Sequence, residues 1–327
     1  MGRKWLLKSI VCGWISVALL VPAEARTVNV AVPTLSMVVI AFTAAKEKGY
    51  YTEEGLDVNL VVMRDTLGIS ALIGGNADFA SMSGAGLTAM LGGVPLRFVF
   101  SSFFRPMFWI YAKPEFQDVK ALKGRRIGVT GLGSGPDNLL RETLKRNGIE
   151  GGRDVTILAL GLPSTVATAL RNGTVDAGTI SPPFNFVVKE AGFRELISYL
   201  KEDFVELQGS IIVSDKLLQS DPGLVEKFVR GTAKGLRYAR ENRAGTLAIL
   251  LRYMKLKDNL AGPYYDQVRP IMTSDGTVGT DLQQKYLEQA LKVLAPKEAP
   301  SAERIYNYSL TRRINAELDS TGWRPAK

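Results

Sequence analysis

Short apolar runs alternate with amphipathic stretches along most of this chain of 327 residues. The run "RRIGV" at 125–129 has the length and apolar content of a strand, and a glycine-rich turn follows it. Beyond the turn, Leu140 and Leu144 stand four positions apart on one face of a predicted helix, which ends at Gly148. Strands and helices that alternate in this way predict an α/β fold with parallel strands.

Two stretches that lie 98 residues apart repeat the same pattern. In "ALIGGNADFA" (71–80) and "ALRNGTVDAG" (169–178), a helix end is followed by glycine and then by a short strand with one aspartate, Asp78 or Asp176. The order strand, loop, helix and glycine recurs upstream of both stretches at nearly the same interval. The sequence therefore predicts two β–α–β–α–β units, and with them two doubly wound lobes.

An aromatic segment at 97–116 separates the two units and predicts a buried strand that passes from one lobe to the other. We expect this strand to bend at Arg105–Pro106, because proline cannot donate to a central ladder. The apolar run "GSIIV" at 209–213 can carry the chain back, and the pattern beyond it is helical to about Leu318. The predicted domains are a signal peptide at 1–25, a discontinuous first lobe at 26–106 and 210–327 that includes the C-terminal helices, and a second lobe at 107–209.

The first 25 residues have the three parts of a secretory signal peptide. Basic residues come first, an apolar run at 10–21 follows, and the Ala-Glu-Ala sequence at 23–25 gives a small-residue cleavage site. The apolar run is shorter than the ~20 residues that a bilayer span requires. No small-residue lipidation box precedes Cys12, the single cysteine of the chain. We therefore expect cleavage after Ala25, export to the periplasm without a lipid anchor, and no membrane-spanning segment.

The composition removes several classes of chemistry. The chain has no histidine, and its one cysteine falls within the predicted signal peptide. This excludes Ser–His and Cys–His nucleophiles, disulfides, and zinc or iron sites built on imidazole or thiolate from the mature chain. The formal charge of +9 falls to +7 after cleavage, and the basic residues are spread along predicted helices rather than clustered with aromatic ones. We expect no catalytic residue, no metal, no cofactor and no nucleic-acid partner.

The segment "GVTGLGSGPDNLL" at 128–140 raises the question of a phosphate-binding loop. A dinucleotide motif would need a third glycine where Pro136 stands, and a P-loop would need Lys and then Ser or Thr after its last glycine. What is left is a strand-to-helix turn with Ser134 or Gly135 as N-cap and Pro136 in the first helical turn. Such a turn directs backbone N–H groups toward an anion or a carbonyl oxygen. A plain connection between strand and helix accounts for the segment equally well.

The family resemblance of the chain rests on three segments: "GGNADFASMSGAG" (74–86), "LKGRRIGVTGLGSGPDNLLRETLKRNGI" (122–149) and "LPSTVATALRNGTVDAGTISPPFNFVVKEAG" (162–192). With these segments the chain resembles the periplasmic solute-binding proteins of ABC importers, in particular the nitrate/sulfonate/taurine-type family, and it is similar to binding proteins of the thiamine-pyrimidine-synthesis type. The resemblance implies two α/β lobes joined by two crossing strands, with a small organic or anionic solute bound between them. It also implies a monomer that delivers this solute to a membrane permease and its ATPase.

The resemblance also implies which residues bind the solute. They lie in four loops: Thr34, Leu35 and Ser36; Ser81, Met82, Ser83 and Gly84; Gly133, Ser134 and Gly135; Pro183, Phe184 and Asn185. The chain departs from the family at Ser181 and Pro182, where sulfonate-type members often have a tryptophan–aspartate pair, and the loss of that acid argues against an amine-bearing solute such as taurine. Asp78 and Asp176 are expected to form local hydrogen bonds rather than to contact the solute.

Two further questions stay open at the level of sequence. Arg64 and Arg105 are candidate cations for an anionic solute, but ion pairing at the surface or between lobes explains them as well. The binding protein could also serve as a sensor that presents its solute to a membrane kinase. An enzyme on the same fold is a weaker alternative, because the related pyrimidine-synthesis proteins need histidines and a cysteine-rich motif that this chain does not have.

Overall fold

The computed structural model describes residues 25–254, 256, 258–294, 296 and 300–325. The predicted signal peptide, apart from Ala25, lies outside the described residues. The strands are β1 (Arg26–Val32), β2 (Leu56–Val62), β3 (Phe79–Ala80), β4 (Leu96–Phe103), β5 (Trp109–Ala112), β6 (Arg126–Val129), β7 (Thr156–Ala159), β8 (Ala177–Ile180), β9 (Arg194–Ser198) and β10 (Gln208–Ser214). The helices up to the return passage are α1 (Ile40–Glu47), α2 (Tyr50–Glu53), α3 (Asp65–Ile73), α4 (Ser83–Leu91), α5 (Gly135–Arg146), α6 (Pro163–Arg171) and α7 (Phe184–Glu190). Those beyond it are α8 (Asp215–Ser220), α9 (Pro222–Glu241), α10 (Arg243–Met254), α11 (Asp258–Val268), α12 (Thr280–Leu294), α13 (Ala302–Ile305) and α14 (Ser309–Ser320).

The strands form two sheets of five strands with the same internal order. The first sheet runs β2-β1-β3-β10-β4 and the second runs β7-β6-β8-β5-β9. In the first, β1 is parallel to β2 and β3, and β10 is antiparallel to β3 and β4. In the second, β6 is parallel to β7 and β8, and β5 is antiparallel to β8 and β9. Each sheet therefore contains one β–α–β–α–β unit, and each accepts one strand that arrives from the other, which confirms the predicted two-lobed α/β fold.

The repeated glycine and aspartate have the same structural role in both lobes. Gly75 and Gly173 adopt φ of 75° and 73°, the left-handed conformation that ends a helix at little cost only for glycine. Asp78 accepts a hydrogen bond from the backbone N–H of Asn29 at 2.8 Å, and Asp176 accepts one from that of Arg126 at 3.0 Å. Each aspartate thus joins the start of a short strand to the adjacent parallel strand by a hydrogen bond within its own sheet.

The chain passes between the lobes at two places. Strand β4 ends at Phe103 and β5 begins at Trp109, so the break falls around Arg105–Pro106. The return passage runs from β9 to β10, and the two passages are joined where the N–H of Met107 donates to the side-chain oxygen of Gln208 at 3.1 Å. The predicted boundary at 106/107 falls in the first passage, whereas the one at 209/210 lies two residues inside β10. The assignment of each segment to a lobe stays a prediction.

Several of the C-terminal helices pack against the first sheet or against its helices. The ring of Phe228 on α9 stacks on Phe79, Tyr51 and Phe42, with centroids 4.2, 5.3 and 5.9 Å apart. Helix α12 packs against α5 of the second lobe, so these helices also contribute to the contact between lobes. Within the described ranges, no helix combines the length and the apolar character that crossing a bilayer demands.

Candidate functional site

A small cavity of about 60 Å³ lies between the two lobes. Both sheets direct loops toward it, because the ends of strands β1, β3, β6 and β8 carry the chain into the cleft. The first lobe contributes Pro33, Thr34, Val38, Asp65, Ser81, Met82, Ser83, Gly84 and Ala85 to its lining. The second lobe and the two passages contribute Phe108, Thr130, Gly135, Pro136, Pro163, Ser181, Glu206, Gln208 and Gly209.

Two carboxyl groups face this cavity, that of Asp65 half-buried and that of Glu206 buried. Asp65 opens helix α3 and accepts a hydrogen bond at 2.8 Å from the hydroxyl of Thr130, which belongs to the other lobe. Glu206 lies on the return passage with 3% of its surface exposed, and its Oε2 atom has no hydrogen-bond partner. Burial raises the pKa of Glu206 to about 8, and the nearby charge of Asp65 adds to the rise. Burial also raises the pKa of Asp65, against the effect of the Thr130 hydrogen bond.

Several hydroxyl groups around the cavity also lack partners. The Oγ atoms of Ser81 and Ser181 are buried and form no hydrogen bond. Ser83 is different, because its hydroxyl donates to Ser210 at 3.1 Å. Buried polar atoms are nearly always paired, so an unpaired group in a native structure calls for an explanation such as a bound molecule or water. The cavity therefore offers both donors and acceptors that the protein itself leaves unused.

The lobes meet at two glycines. A Cβ atom on Gly84, in the first turn of α4, would lie 2.1 Å from the backbone nitrogen of Gly135, which begins α5. A Cβ on Gly135 would in turn lie 1.9 Å from Oε1 of Glu206. The hydroxyl of Thr88 donates across the same contact to the carbonyl oxygen of Gly133 at 2.8 Å. The structure is thus a closed state in which the starts of two helices touch.

The glycine-rich loop uses its own polar groups internally in this state. Ser134 is the N-cap of α5 and is fully buried, but its hydroxyl donates to the carbonyl oxygen of Gly131 at 2.7 Å instead of capping the helix. The N–H of Gly133 donates to the carboxylate of Asp137 at 2.8 Å. A bond from Ser134 or from the Gly133 amide to a solute stays a prediction, and it requires the loop to exchange these bonds.

A second and larger space, the outer groove, adjoins the cavity at Thr34. Its volume is about 520 Å³. The residues that line it are mostly apolar: Thr34, Leu35, Val62, Pro183, Phe184, Phe186, Val187, Glu190, Tyr253, Met254, Leu256 and Leu260. The outer groove is therefore lined mainly by apolar side chains together with Glu190, whereas Asp65 and Glu206 line the inner cavity.

The structure distributes the sequence-predicted residues over three places. Thr34, Ser81, Met82, Ser83, Gly84 and Gly135 line the cavity, and Leu35, Pro183 and Phe184 join Thr34 in the outer groove. Gly133 and Ser134 lie in the loop behind the cavity wall. Ser36 and Asn185 line neither space, although both are buried and each has an oxygen without a partner. Whether these residues bind a solute stays a prediction.

The two candidate arginines have other contacts. Arg64 packs across the cleft against Gly161, whose added Cβ would lie 3.3 Å from Cδ of Arg64. Arg105 donates to the carbonyl oxygen of Glu202 at 2.9 Å. Neither lines the cavity or the outer groove, and the described residues that line these spaces include no lysine or arginine.

Sequence reasoning missed the two acids that do line the cavity. A usable signal existed for Glu206, which interrupts the apolar run "FVELQ" with a charge at a position where the chain returns between lobes. Asp65 gave a weaker signal, because an acid in the first turn of a helix is common for reasons of dipole alone. Among the described residues, no group of three or more acidic, histidine or cysteine side chains is placed to hold a metal ion.

Comparison with known proteins places the chain in a family. The model of the family described as NMT1/THI5 like matches residues 36–244, so the chain belongs to this family. A riboflavin-binding protein, RibY of Chloroflexus aurantiacus, is 28% identical over 241 residues, which cover 66% of this chain and 65% of the relative, just under two thirds of its length.

Two solved structures illustrate how widely the fold is used. The periplasmic nitrate-binding protein NrtA from Synechocystis PCC 6803 matches with a TM-score of 0.74 at 12% identity and covers 90% of both chains. The desulfurization enzyme DSZB matches with a TM-score of 0.63 at 16% identity, covering 89% of this chain and 99% of its own. At such identities the likeness concerns the fold alone, and the fold carries both binding proteins and an enzyme.

Proposed function

We propose that this protein is the solute-binding component of an ABC import system and that it holds a small molecule between its two lobes. The observation that carries the proposal is the cavity at the lobe contact, where buried oxygens of Ser81, Ser181 and Glu206 have no partner within the protein. Family membership and the two-lobed fold support it. Lobe closure by hinge motion at the passages would bury the solute and order these groups around it.

The proposed binding residues are those of the four predicted loops, together with Asp65 and Glu206. The predicted residues that line the cavity, such as Ser81, Ser83 and Gly135, would contact the solute directly. We propose binding without turnover, because the mature chain has neither histidine nor cysteine to serve as a nucleophile or its base. We further propose export after cleavage at Ala25, action as a monomer, and a permease with its ATPase as the partner; a membrane kinase is the alternative partner.

A ligand screen tests the proposal. Purified protein spanning 26–327 is heated with solutes of several classes: nitrate, sulfonates, carboxylates, amines, pyrimidines and flavins. A solute that binds the folded state alone raises the free energy of unfolding by RT ln(1 + [L]/Kd), roughly 2.7 kcal/mol at a hundredfold excess over Kd. Calorimetry then gives Kd, and mass spectrometry of the recovered solute detects turnover. The absence of binding in every class, or a chemically altered solute, would contradict the proposal.

A further inference from the structure

Acidic side chains line the inner cavity without a basic one beside them among the described residues. Asp65 and Glu206 both line it, and the described residues around the cavity and the outer groove include no lysine or arginine. Burial raises the pKa of both carboxyl groups, and the charge of Asp65 adds to the rise at Glu206. An anion bound beside them would oppose their ionisation further, whereas a donor of N–H bonds or a cation would favour it.

The start of α5, at the cavity, lies beside one of the two acids. A helix N-terminus supplies about half a positive charge and attracts anions. Here the carboxyl group of Glu206 already occupies the position against Gly135 where α5 begins. A carboxyl group of the protein itself therefore stands beside the start of α5, where a bound anion would otherwise lie.

The polar atoms of the cavity that have no hydrogen-bond partner indicate which kind of solute atom can bind there. Oε2 of Glu206 is buried without a hydrogen bond, as are the hydroxyls of Ser81 and Ser181. An ionised carboxylate accepts and does not donate, so an N–H group from a solute is the partner that satisfies Glu206 and favours the loss of its proton. A hydroxyl both donates and accepts, so the serines can complete the shell around the same nitrogen or around an acceptor beside it.

The sizes of the two spaces define the rest of the solute. The inner cavity of about 60 Å³ admits a head group of roughly four water-sized units. The outer groove of about 520 Å³ is large enough for an apolar body, and Thr34 lines both spaces. The side chains of Leu35 and Phe184 line the groove that such a body would fill.

We infer that the cleft selects a solute with a nitrogen head group that donates N–H bonds to Asp65 and Glu206, carried on an apolar body that lies in the outer groove. Amines, amidines and amino-substituted heterocycles share this head-group chemistry, whereas nitrate and sulfonates do not. The inference rests on the proposed function. The inference includes amine-bearing solutes. The absence of an acid at 181–182 argued against them, but Asp65 and Glu206 supply acids from other positions.

Matched probes test the inference. Benzylamine and 2-aminopyridine present nitrogen head groups, and phenylmethanesulfonate presents an anion on the same ring as benzylamine. Calorimetry at pH 7 with the protein spanning 26–327 is expected to show that the nitrogen probes bind about tenfold or more tightly than the sulfonate. Glu206→Gln should weaken the nitrogen probes by about tenfold, because the amide cannot lose a proton to become the charged acceptor that a nitrogen head group favours. Glu115→Gln, on an exposed loop, is the matched control and should leave binding unchanged.

Circular dichroism checks that each variant folds, and Asp65→Asn provides a second acid variant should Glu206→Gln fail to fold. Preferred binding of the sulfonate would overturn the inference, as would nitrogen probes whose affinity neither acid variant alters. The broader ligand screen separates the two failures. Binding of a solute without an N–H head group in that screen would contradict the inference but not the solute-binding function. The absence of binding in every class would contradict both.

Discussion

At the scale of single residues, Glu206 is a carboxyl group that folding removes from water without giving it a full set of partners. Its pKa rises to about 8 because burial disfavours the charge, and Asp65 adds to the rise. Glu142 lines a small neighbouring cavity beside Glu206. Burial raises the pKa of Tyr199 and of Tyr286, and the charge of Glu206 adds to both rises. No basic side chain lines either cavity in the described part of the chain.

This environment predicts a stability that falls as the pH rises. Between about pH 4.5 and pH 8 the folded state keeps the proton of Glu206 while the unfolded chain has lost it. Each pH unit of that window therefore lowers the free energy of unfolding by up to about 1.4 kcal/mol. Urea unfolding of the solute-free protein at pH 5, 6, 7 and 8 measures the slope. We expect Glu206→Gln to flatten it, because glutamine has no proton to lose.

Glu115→Gln is the control for that measurement, since it removes an exposed carboxyl group from the same lobe. An unchanged slope in Glu206→Gln would mean that Glu206 ionises in the folded state as readily as in the unfolded chain. Such a result would also weaken the inference about the solute, because Glu206 would then be hydrated and would not need a hydrogen bond from the solute.

At the scale of elements, the paired aspartates make the repeat measurable. Asp78 accepts from the N–H of Asn29, whereas Asp176 accepts from the N–H of Arg126 and also forms an ion pair with Lys113 at 2.7 Å. Burial opposes the ionisation of Asp176, but the hydrogen bonds from Lys113 and Arg126 prevail and lower its pKa. Its contribution is therefore present at neutral pH and is lost as the pH falls below about 4.

We expect Asp78→Ala to lower the free energy of unfolding by about 1–2 kcal/mol and Asp176→Ala by about 2–3 kcal/mol, because only the second change also removes the ion-pair partner of Lys113. Denaturant unfolding at pH 7 measures both, with Asp57→Ala on the exposed side of β2 as the control. The difference between Asp176→Ala and the parent protein should shrink at pH 3.5. Equal costs for all three variants would show that the aspartates do not fasten the strands.

The elements were the part of this molecule that sequence reasoning could reach. The repeat of glycine and aspartate at 71–80 and 169–178 predicted the two units, because helix ends and short strands have local signatures. The position of β10 inside the first sheet, and of β5 inside the second, has no such signature, since it depends on pairing between distant segments. The acidity of the cavity was missed for the same reason, because Asp65 and Glu206 become neighbours only when the lobes meet.

At the scale of the whole molecule, the contact between lobes has polar and steric components that can be tested separately. The polar component includes the bond from the hydroxyl of Thr88 to the carbonyl oxygen of Gly133. Thr88→Val keeps the shape and removes this bond, so the closed state should lose about 1 kcal/mol. Affinity for the solute that the ligand screen identifies should then fall about fivefold, measured by calorimetry. Thr52→Val, on the exposed surface of α2, should leave the affinity unchanged, and an equal loss in both variants would contradict this role.

The steric component is the contact of Gly84 with Gly135. A Cβ on Gly84 would lie 2.1 Å from the backbone nitrogen of Gly135. A backbone atom cannot move away by a rotation about a side-chain bond. Gly84→Ala should therefore hold the lobes apart while each lobe keeps its own core. Small-angle scattering in the presence of saturating solute should give a larger radius of gyration than the parent protein has, and affinity should fall about tenfold or more. Gly279→Ala is the matched control, because a Cβ there meets open space. A Gly84→Ala protein that closes and binds like its parent would mean that the solute is held in an arrangement of the lobes other than this one.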